Sequence, residues 1–253
     1  MYEAMADRNN LRRTVFFERP DYIPMVFHIN PACWNSYSAG ALEELMADHP
    51  FLFPGFDPAA GPVVPAYEPN QVSGRPFVDD WGCTWETPED GITGVVTGHP
   101  LASWDALDSY RPPDPGRSTG LGPLDWAAVA ADFEAARSNG QMTMGILRHG
   151  HTFLLLQDLR GYQNLIYDMA DGDPRLLTLI EMVEAFNAGI VERYLHVGAE
   201  WMSYPEDLGM QVGPMVSPGL FRRYVKPSYQ RLMQPARRNS KSDPTDNTFA
   251  KAG

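Results

Sequence analysis

Cysteine is scarce in this sequence, which contains only Cys33 and Cys83. The two belong to no Cys-x-x-Cys pair and no Cys/His cluster, so they cannot build a disulfide framework or a structural zinc site. We interpret both as half-buried thiols. Long apolar runs are also missing: no stretch reaches the roughly 18 apolar residues that span a bilayer, and the N-terminus lacks the apolar run of a signal peptide. We therefore expect a cytoplasmic protein with no membrane partner.

Basic residues are outnumbered, because 20 Lys and Arg stand against 32 Asp and Glu and leave a formal charge of −12. Phosphate backbones repel such a chain, which makes nucleic acid a poor candidate partner. Hydrophobic residues, by contrast, make up 43% of the 253 residues. That is enough for one large core or two small ones. Pro and Gly gather between residues 54 and 123, where they predict ordered loops.

The first third of the chain predicts a helix over residues 7–18, which Arg19-Pro20 ends because a residue before proline avoids the α region. The apolar segment 23–28 then predicts a buried parallel strand with His28 at its carboxyl end. We further expect short helices at 41–47 and 104–110, and an extended or hairpin segment at 77–86.

From residue 125 onward, helical and strand patterns alternate regularly. Predicted helices cover 126–138, 153–168, 175–197, 219–224 and 227–233, and predicted strands cover 142–147 and 201–204. Strands separated by helices of about ten residues or more favour a parallel sheet with crossover helices. A barrel is the natural way to close such a sheet.

Four segments of the chain carry distinctive motifs. Residues 11–24 end in Glu-Arg-Pro-Asp-Tyr-Ile-Pro, and residues 79–86 read Asp-Asp-Trp-Gly-Cys-Thr-Trp-Glu. Residues 158–169 begin Asp-Leu-Arg-Gly-Tyr. The most specific segment, 207–227, contains Asp-Leu-Gly-Met-Gln, Ser-Pro-Gly-Leu-Phe and Lys-Pro. In this order the four segments resemble the uroporphyrinogen decarboxylase superfamily, which also contains corrinoid-dependent methyltransferases.

This resemblance implies an α/β fold of the TIM (β/α) barrel type, with its active site at the carboxyl ends of the strands. We expect the barrel to be incomplete, with its last strands missing. Residues 1–236 would form the partial barrel domain. Residues 237–253 have the low hydrophobicity of a disordered tail.

The methyltransferase-like branch of the superfamily is the better match. Decarboxylases carry an Arg-rich motif after the first strand to hold a substrate with many carboxylates, and residues 26–34 here contain no arginine. Porphyrinogen decarboxylation is thus the alternative, and a non-catalytic truncated remnant is a third interpretation. The resemblance implies a small-molecule or tetrapyrrole substrate and a corrinoid protein as partner, and family members often form homodimers.

Zinc or a corrinoid is implied for full-length relatives, whose zinc ligands lie in the last third of the barrel. We expect no cofactor or metal in this chain. His149 and His151 flank Gly150 after a predicted strand, and such a pair can present two imidazoles to one metal, but no third ligand is evident. Polar lining of the cleft is the default interpretation.

The candidate site residues follow predicted strands or match family positions. Adjacent carboxylates at a strand end can split their pKa values, which favours Asp207 beside Glu206 as a catalytic acid or base; the alternative is a solvated loop acid. The remaining catalytic candidates are His28 and Asp57, the latter a loose match to a decarboxylase acid. The candidate substrate-binding residues are Gln211, Tyr204, Arg148 and His149. Asp79 and Asp80 are interpreted as acids that order a turn.

Overall fold

A computed structural model of the chain describes residues 8–25, 27–53 and 55–240, with side chains described as far as residue 238. The chain divides into two compact units. Unit 1 comprises Met1–Phe77, Trp85–Val95 and Glu134–Met142, and unit 2 comprises Val78–Thr84, Val96–Phe133 and Thr143–Gly253.

Unit 1 contains helices α1 (Arg8–Val15), α2 (Cys33–Ser36) and α3 (Ala39–Asp48). Helix α3 confirms the prediction at 41–47, and the Ser38 hydroxyl caps it by accepting from the Ala41 N–H. Helix α1 stops three residues before the predicted end. Phe17 and Arg19 adopt left-handed φ values of 57° and 52°, which a continuing helix does not allow.

The strand predicted at 23–28 is not formed by residues 23–25 or 27–28, and residue 26 lies outside the described residues. The Asn10 side chain holds the backbone just before this segment: its Nδ2 donates to the Tyr22 carbonyl at 2.9 Å, and its Oδ1 accepts from the Asp21 N–H at 2.7 Å. Pro24 has no N–H to offer a ladder. Ile23, predicted to be buried, is 73% exposed.

The predicted hairpin at 77–86 is present. Strands β1 (Phe77–Val78), β2 (Thr84–Glu86) and β3 (Val95–Gly98) form a sheet in the order β1-β2-β3. Asp79 orders the turn between β1 and β2, because its Oδ1 accepts from the N–H groups of Trp81 at 3.0 Å and Cys83 at 2.8 Å.

Unit 2 holds most of the regular structure. In chain order its elements, with α4 running on into unit 1, are α4 (Trp126–Ser138), β4 (Met144–Ile146), α5 (Phe153–Arg160), α6 (Tyr162–Asp171), α7 (Pro174–His196), β5 (Trp201–Ser203), β6 (Gly209–Met210), β7 (Gly213–Pro214), α8 (Pro218–Leu220), a π-helical turn (Phe221–Val225) and α9 (Lys226–Ser240). The helix predicted at 153–168 is two helices, because Gly161, with φ 80°, ends α5 and begins α6.

Two further predictions need correction. The helix expected at 104–110 is a 3-10 turn over Trp104–Ala106. Residues 237–240, which we assigned to the tail, are the last residues of α9. Residues 241–253 lie outside the described residues.

The predicted α/β class is confirmed, but the described residues show no barrel. Their sheets contain three, two and two strands, and none of the sheets closes. Strands β4 and β5 pair in parallel with Met144 opposite Trp201 and Ile146 opposite Ser203. Three helices, α5 to α7, connect them, as a crossover connection requires.

The core of unit 2 lies between α5, α6 and α7. Each helix buries leucines completely, among them Leu155, Leu159, Leu165, Leu176 and Leu179. Full burial of one such side chain contributes about 1.5–3 kcal/mol. This core fixes the helices against which the ends of β4 and β5 are placed. Among the described helices, none is long and apolar enough to cross a membrane.

Candidate functional site at the carboxyl ends of strands β4 and β5

The loops that follow the two parallel strands lie side by side. The Leu147 N–H donates to the Ser203 carbonyl and the Gly150 N–H donates to the Pro205 carbonyl, both at 3.1 Å. Ligand sites in parallel α/β folds form where such loops meet. The predicted residues Arg148, His149, Tyr204 and Asp207 all belong to these two loops.

Glu206 joins the two loops electrostatically. Its carboxylate accepts from the N–H groups of Thr152 and Phe153 at 3.0 Å and of Leu154 at 3.3 Å, which are the first donors of helix α5. Negative charge at a helix N-terminus is favourable. The Tyr229 hydroxyl on α9 also donates to Glu206 at 2.8 Å. Burial first, and then this carboxylate, raises the pKa of Tyr229.

Asp207 turns the other way. Its side chain is exposed, and Oδ1 accepts from the Gly209 N–H at 2.9 Å. Of the two adjacent acids, Glu206 therefore holds the helix start while Asp207 faces solvent at the strand end. Gln211 is also exposed, in the tight turn between β6 and β7. The structure leaves both side chains accessible to a ligand.

Arg148 is directed into the protein. Its side chain is 4% exposed and lies 3.0 Å from Asp158 and 3.9 Å from Asp79. Burial raises the pKa of Asp158 to about 6; Arg148 opposes this shift, and Asp79, which shares the same guanidinium, adds to it. The charge of Arg148 is thus offset by two protein carboxylates. It orders the strand-end loop rather than presenting a free cation to a substrate.

The two histidines of the β4 loop point to different environments. His149 is exposed, whereas His151 is 1% exposed. The ring of His151 lies between two tyrosines, with ring centroids 6.1 Å from Tyr204 and 5.4 Å from Tyr229. Burial lowers the pKa of His151, against the attraction of the Glu206 carboxylate. One imidazole in solvent and one in the core do not form a shared metal site.

His151 is held from both ends. Its Nδ1 is 2.7 Å from the Thr152 hydroxyl, and its backbone carbonyl accepts from Nδ2 of Asn187 at 2.6 Å. Tyr204 is anchored in turn, since its hydroxyl donates to the Leu232 carbonyl at 3.2 Å, and burial raises its pKa to about 12. Tyr204 therefore links the end of β5 to helix α9.

The outer face of the β4–β5 pair is apolar and accessible. Met144, Ile146 and Trp201 are 47%, 46% and 36% exposed. The strand register places Met144 beside Trp201. The opposite face is closed, because a side chain on Gly145 would come within 2.6 Å of Tyr194. We call Met144, Ile146 and Trp201 the apolar shelf.

His28 and Asp57 lie in unit 1. His28 is exposed and belongs to no strand. Asp57 caps a 3-10 turn, with Oδ1 accepting from the Ala59 N–H at 2.9 Å. The other five predicted site residues lie in unit 2. The structure therefore brings together Arg148, His149, Tyr204 and Asp207, and the catalytic roles of His28 and Asp57 stay predictions.

The resembling segment 158–169 supplies packing rather than chemistry. Arg160 is buried and pairs with Asp168 at 2.8 Å, and its guanidinium lies 4.1 Å from the ring of Trp104. It also donates to the carbonyls of Leu101 and Ala102. This one side chain thereby ties the segment after β3 to α5 and α6.

Sequence reasoning missed Tyr229 and Asn187 and gave Glu206 only the place of a neighbour. Asn187 carried a signal, being a polar residue on the buried side of an otherwise apolar helix. Tyr229 and Glu206 carried none, because their contact joins distant parts of the chain. No three His, Cys, Asp or Glu side chains in the described ranges are placed to hold a metal ion.

Comparison with known proteins places the fold. No family model matches the chain, and no curated protein matches it. A solved structure does: a methyltransferase from Methanosarcina mazei, with a TM-score of 0.53 and 15% sequence identity over 91% of this chain. The match spans 66% of the length of that protein. At this identity the likeness shows a shared fold.

Proposed function

We propose that this protein is a member of the uroporphyrinogen decarboxylase superfamily, in its methyltransferase-like branch, and that it takes part in methyl transfer at the carboxyl ends of β4 and β5. The observation that carries the proposal is the shared fold with the Methanosarcina mazei methyltransferase. The four resembling sequence segments and the accessible polar residues at the strand ends support it.

The site combines the two features that such chemistry needs. The apolar shelf runs along the exposed face of the two strands, from Met144 and Trp201 at their amino ends to Ile146 at the carboxyl end of β4, and offers a surface beside the strand-end loops for an apolar or ring-shaped methyl donor. Exposed polar groups from His149, Asp207 and Gln211 belong to the loops after β4, β5 and β6 and can bind or exchange protons with an acceptor. A corrinoid-bound methyl group is the proposed donor, and a thiol is the proposed acceptor.

Zinc does not fit the described residues, since they offer no three-ligand group. No step of the proposal is therefore assigned to a metal held by this part of the chain. Transfer from methylcobalamin to a thiol would move the methyl group, without its bonding electron pair, from cobalt to sulfur. The products are a thioether, cob(I)alamin and the proton released by the thiol.

Decarboxylation of a porphyrinogen is the weaker alternative. A substrate with many carboxylates needs arginines to bind it. The arginine at the strand ends, Arg148, is already paired with Asp158 and Asp79. No described feature of the site favours a polyanion.

Two experiments test the proposal. In the first, methylcobalamin or coproporphyrin is titrated into the protein and binding is followed by tryptophan fluorescence. In the second, the protein is incubated with methylcobalamin and 2-mercaptoethanesulfonate under anaerobic conditions. We expect methylcobalamin to bind and Trp201→Ala to weaken that binding by about tenfold, the loss of a 1–1.5 kcal/mol aromatic contact. Trp34→Ala in unit 1 is the matched control and should leave binding unchanged.

Thiol-dependent loss of the methylcobalamin absorbance would extend the result from binding to transfer. Folded protein that binds neither tetrapyrrole, or that binds methylcobalamin equally well after Trp201→Ala, would contradict the assigned site. Preference for coproporphyrin would favour the decarboxylase alternative.

A further inference from the structure

Basic residues are concentrated near the end of the described chain. Residues 208–240 contain six basic residues and no acidic one, in a protein with a formal charge of −12. Three of the six, Arg222, Arg223 and Lys226, fall within five consecutive positions where the π-helical turn joins helix α9, and all three are exposed. This local excess of positive charge attracts anions that the chain as a whole repels.

These three cations lack the kind of protein partner that a neighbouring arginine has. Within the described part of the chain, none of the side chains of Arg222, Arg223 and Lys226 forms an ion pair or a hydrogen bond. By contrast, Arg231 on α9 is paired with Glu184 at 2.5 Å. The charge of the three unpaired side chains can therefore be used by a ligand.

The hydroxyl of Tyr224 is a further group without a partner. Tyr224 is 4% exposed, and its hydroxyl is buried and forms no hydrogen bond with the described residues. A buried hydroxyl left unpaired is unfavourable, and such groups are uncommon in folded proteins. An unpaired donor of this kind marks a position where a bound acceptor is stabilised.

The two kinds of donor converge on Gly172, between helices α6 and α7. Its backbone is left-handed, with φ 73°, which is the conformation that ends α6 and favours glycine. A side-chain carbon at this position would lie 3.3 Å from Nη2 of Arg223 and 3.9 Å from the Tyr224 hydroxyl. We call the space beside Gly172, Arg223 and Tyr224 the Gly172 notch.

Arg223 covers the Tyr224 hydroxyl but is free to move. Its guanidinium carbon lies 4.9 Å from the centroid of the Tyr224 ring. Because Arg223 has no ion pair to break, it can turn toward an anion and uncover the hydroxyl at the same time. A cationic donor and a neutral donor would then bind one ligand together.

The acids beside the notch do not cancel its charge. Asp173 is paired with Arg175 at 2.6 Å, and it caps helix α7 by accepting from the Arg175 N–H. Asp171 is exposed, and the interactions of an exposed charge are weak and are screened by salt. Three unpaired cations therefore outnumber one exposed acid near the notch.

From this arrangement we propose that the Gly172 notch binds the phosphoryl group of a small phosphorylated molecule. The planar guanidinium of Arg223 can donate two parallel hydrogen bonds to phosphate oxygens, and the Tyr224 hydroxyl can donate a third. A phosphoryl group offers three acceptor oxygens and close to two negative charges. A single carboxylate offers two oxygens and one charge, which would leave donors unused. The inference goes beyond the proposed methyl transfer and does not depend on it.

The test is calorimetric titration of the full chain with inorganic phosphate and with glycerol 1-phosphate at constant ionic strength. We expect Arg223→Ala to weaken binding by about tenfold or more, because it removes charge-assisted hydrogen bonds. Tyr224→Phe should weaken binding by about threefold to tenfold, the effect of one hydrogen bond. Since that hydroxyl has no partner in the free protein, Tyr224→Phe should unfold at the wild-type temperature without phosphate. It should then lose most of the increase that phosphate gives the wild type.

Two variants serve as matched controls. Tyr162→Phe removes a hydroxyl that donates to the Met215 carbonyl at 2.8 Å. It should lower the unfolding temperature with and without phosphate and leave phosphate binding unchanged. Arg111→Ala removes an exposed cation of unit 2 that donates to the nearby carbonyls of Asp108 and Tyr110. It changes the net charge as much as Arg223→Ala does and should bind phosphate like the wild type.

Four results would overturn the inference. The first is a folded wild type that binds neither soluble phosphate, and the second is binding that Arg223→Ala and Tyr224→Phe leave unchanged. The third is an equal loss of binding in Arg111→Ala, which would show that net charge rather than the notch is responsible. The fourth is adherence to phosphatidylglycerol vesicles without binding of glycerol 1-phosphate, which would assign the cations to a lipid surface instead of a small molecule.

Discussion

The two units differ in what they bury. Unit 2 encloses the side chains of Leu155, Leu159 and Leu165 completely, whereas unit 1 leaves Phe17 94% and Ile23 73% exposed. Both units were expected to belong to one barrel domain. Unit 1 buries a smaller set of large apolar side chains, among them Leu42, Met46 and Phe53. We therefore expect more of the packing free energy that positions a site to lie in unit 2, which contains the ends of β4 and β5.

The largest expected difference between the two units is tested by replacing one arginine in each. Arg160→Ala in unit 2 leaves Asp168 without its partner in a buried setting, and we expect it to cost roughly 3–5 kcal/mol of the free energy of unfolding. Arg13→Ala in unit 1 removes an exposed ion pair with Asp21 and should cost less than about 1 kcal/mol. Urea denaturation measures both. Equal losses would contradict the unequal burial.

A leucine from each unit gives the next test. Leu155→Ala opens a cavity in the core between α5 and α7 and should cost about 2–4 kcal/mol. Leu45→Ala alters a helix position that is 42% exposed and should cost less than about 1 kcal/mol, because the site already contacts water. Thermal unfolding followed by circular dichroism distinguishes the two. A larger loss for Leu45→Ala would contradict the exposure of this side chain.

The smallest expected effect is a change in how the free energy of unfolding depends on pH. Burial lowers the pKa of His151, so the unfolded chain takes up a proton before the folded one does. The contribution of the neutral, buried His151 to the free energy of unfolding is therefore present above about pH 6.5 and is lost as the pH falls below that value. His151→Gln should remove this component from the pH dependence of the free energy of unfolding, as urea denaturation at a series of pH values would measure.

Asp158 affects the pH dependence of the free energy of unfolding with the opposite sign, so its contribution must be separated from that of His151. Its pKa is raised to about 6, so the folded protein binds its proton first and gains stability as the pH falls through 6. Comparing unfolding curves of the wild type and His151→Gln cancels this shared contribution. Identical pH profiles for the two proteins would contradict the burial of His151.

The parts of the fold that the sequence predicted are those governed by local rules. Helices α4 and α7 and strands β4 and β5 follow from periodicity, whereas the break at Gly161 divides what was predicted as one helix. The strand predicted at 23–28 was wrong: residues 23–25 and 27–28 form no strand, and the backbone just before them, at 21 and 22, is bonded to the side chain of Asn10, more than ten residues away. Periodicity carries no information on such a contact.

The candidate site was predictable as a location but not in its assignments. Parallel strands place their following loops together, which predicted the neighbourhood of Arg148, Tyr204 and Asp207. Which of Glu206 and Asp207 turns inward depends on the helix start at Thr152. That Arg148 is neutralised depends on Asp79 and Asp158. Partners far apart in the chain decide both outcomes.

The contact between Asp79 and Arg148 also bears on the order in which the chain folds during synthesis. Asp79 leaves the ribosome well before Arg148, and β4 precedes its parallel partner β5 by three helices. The turn that Asp79 orders therefore contains a carboxylate whose buried counterion does not yet exist. The hairpin lacks this counterion until β4 and the loop after it have been synthesised, so a pause in translation before β4 would hold the nascent protein in a partly assembled and aggregation-prone state.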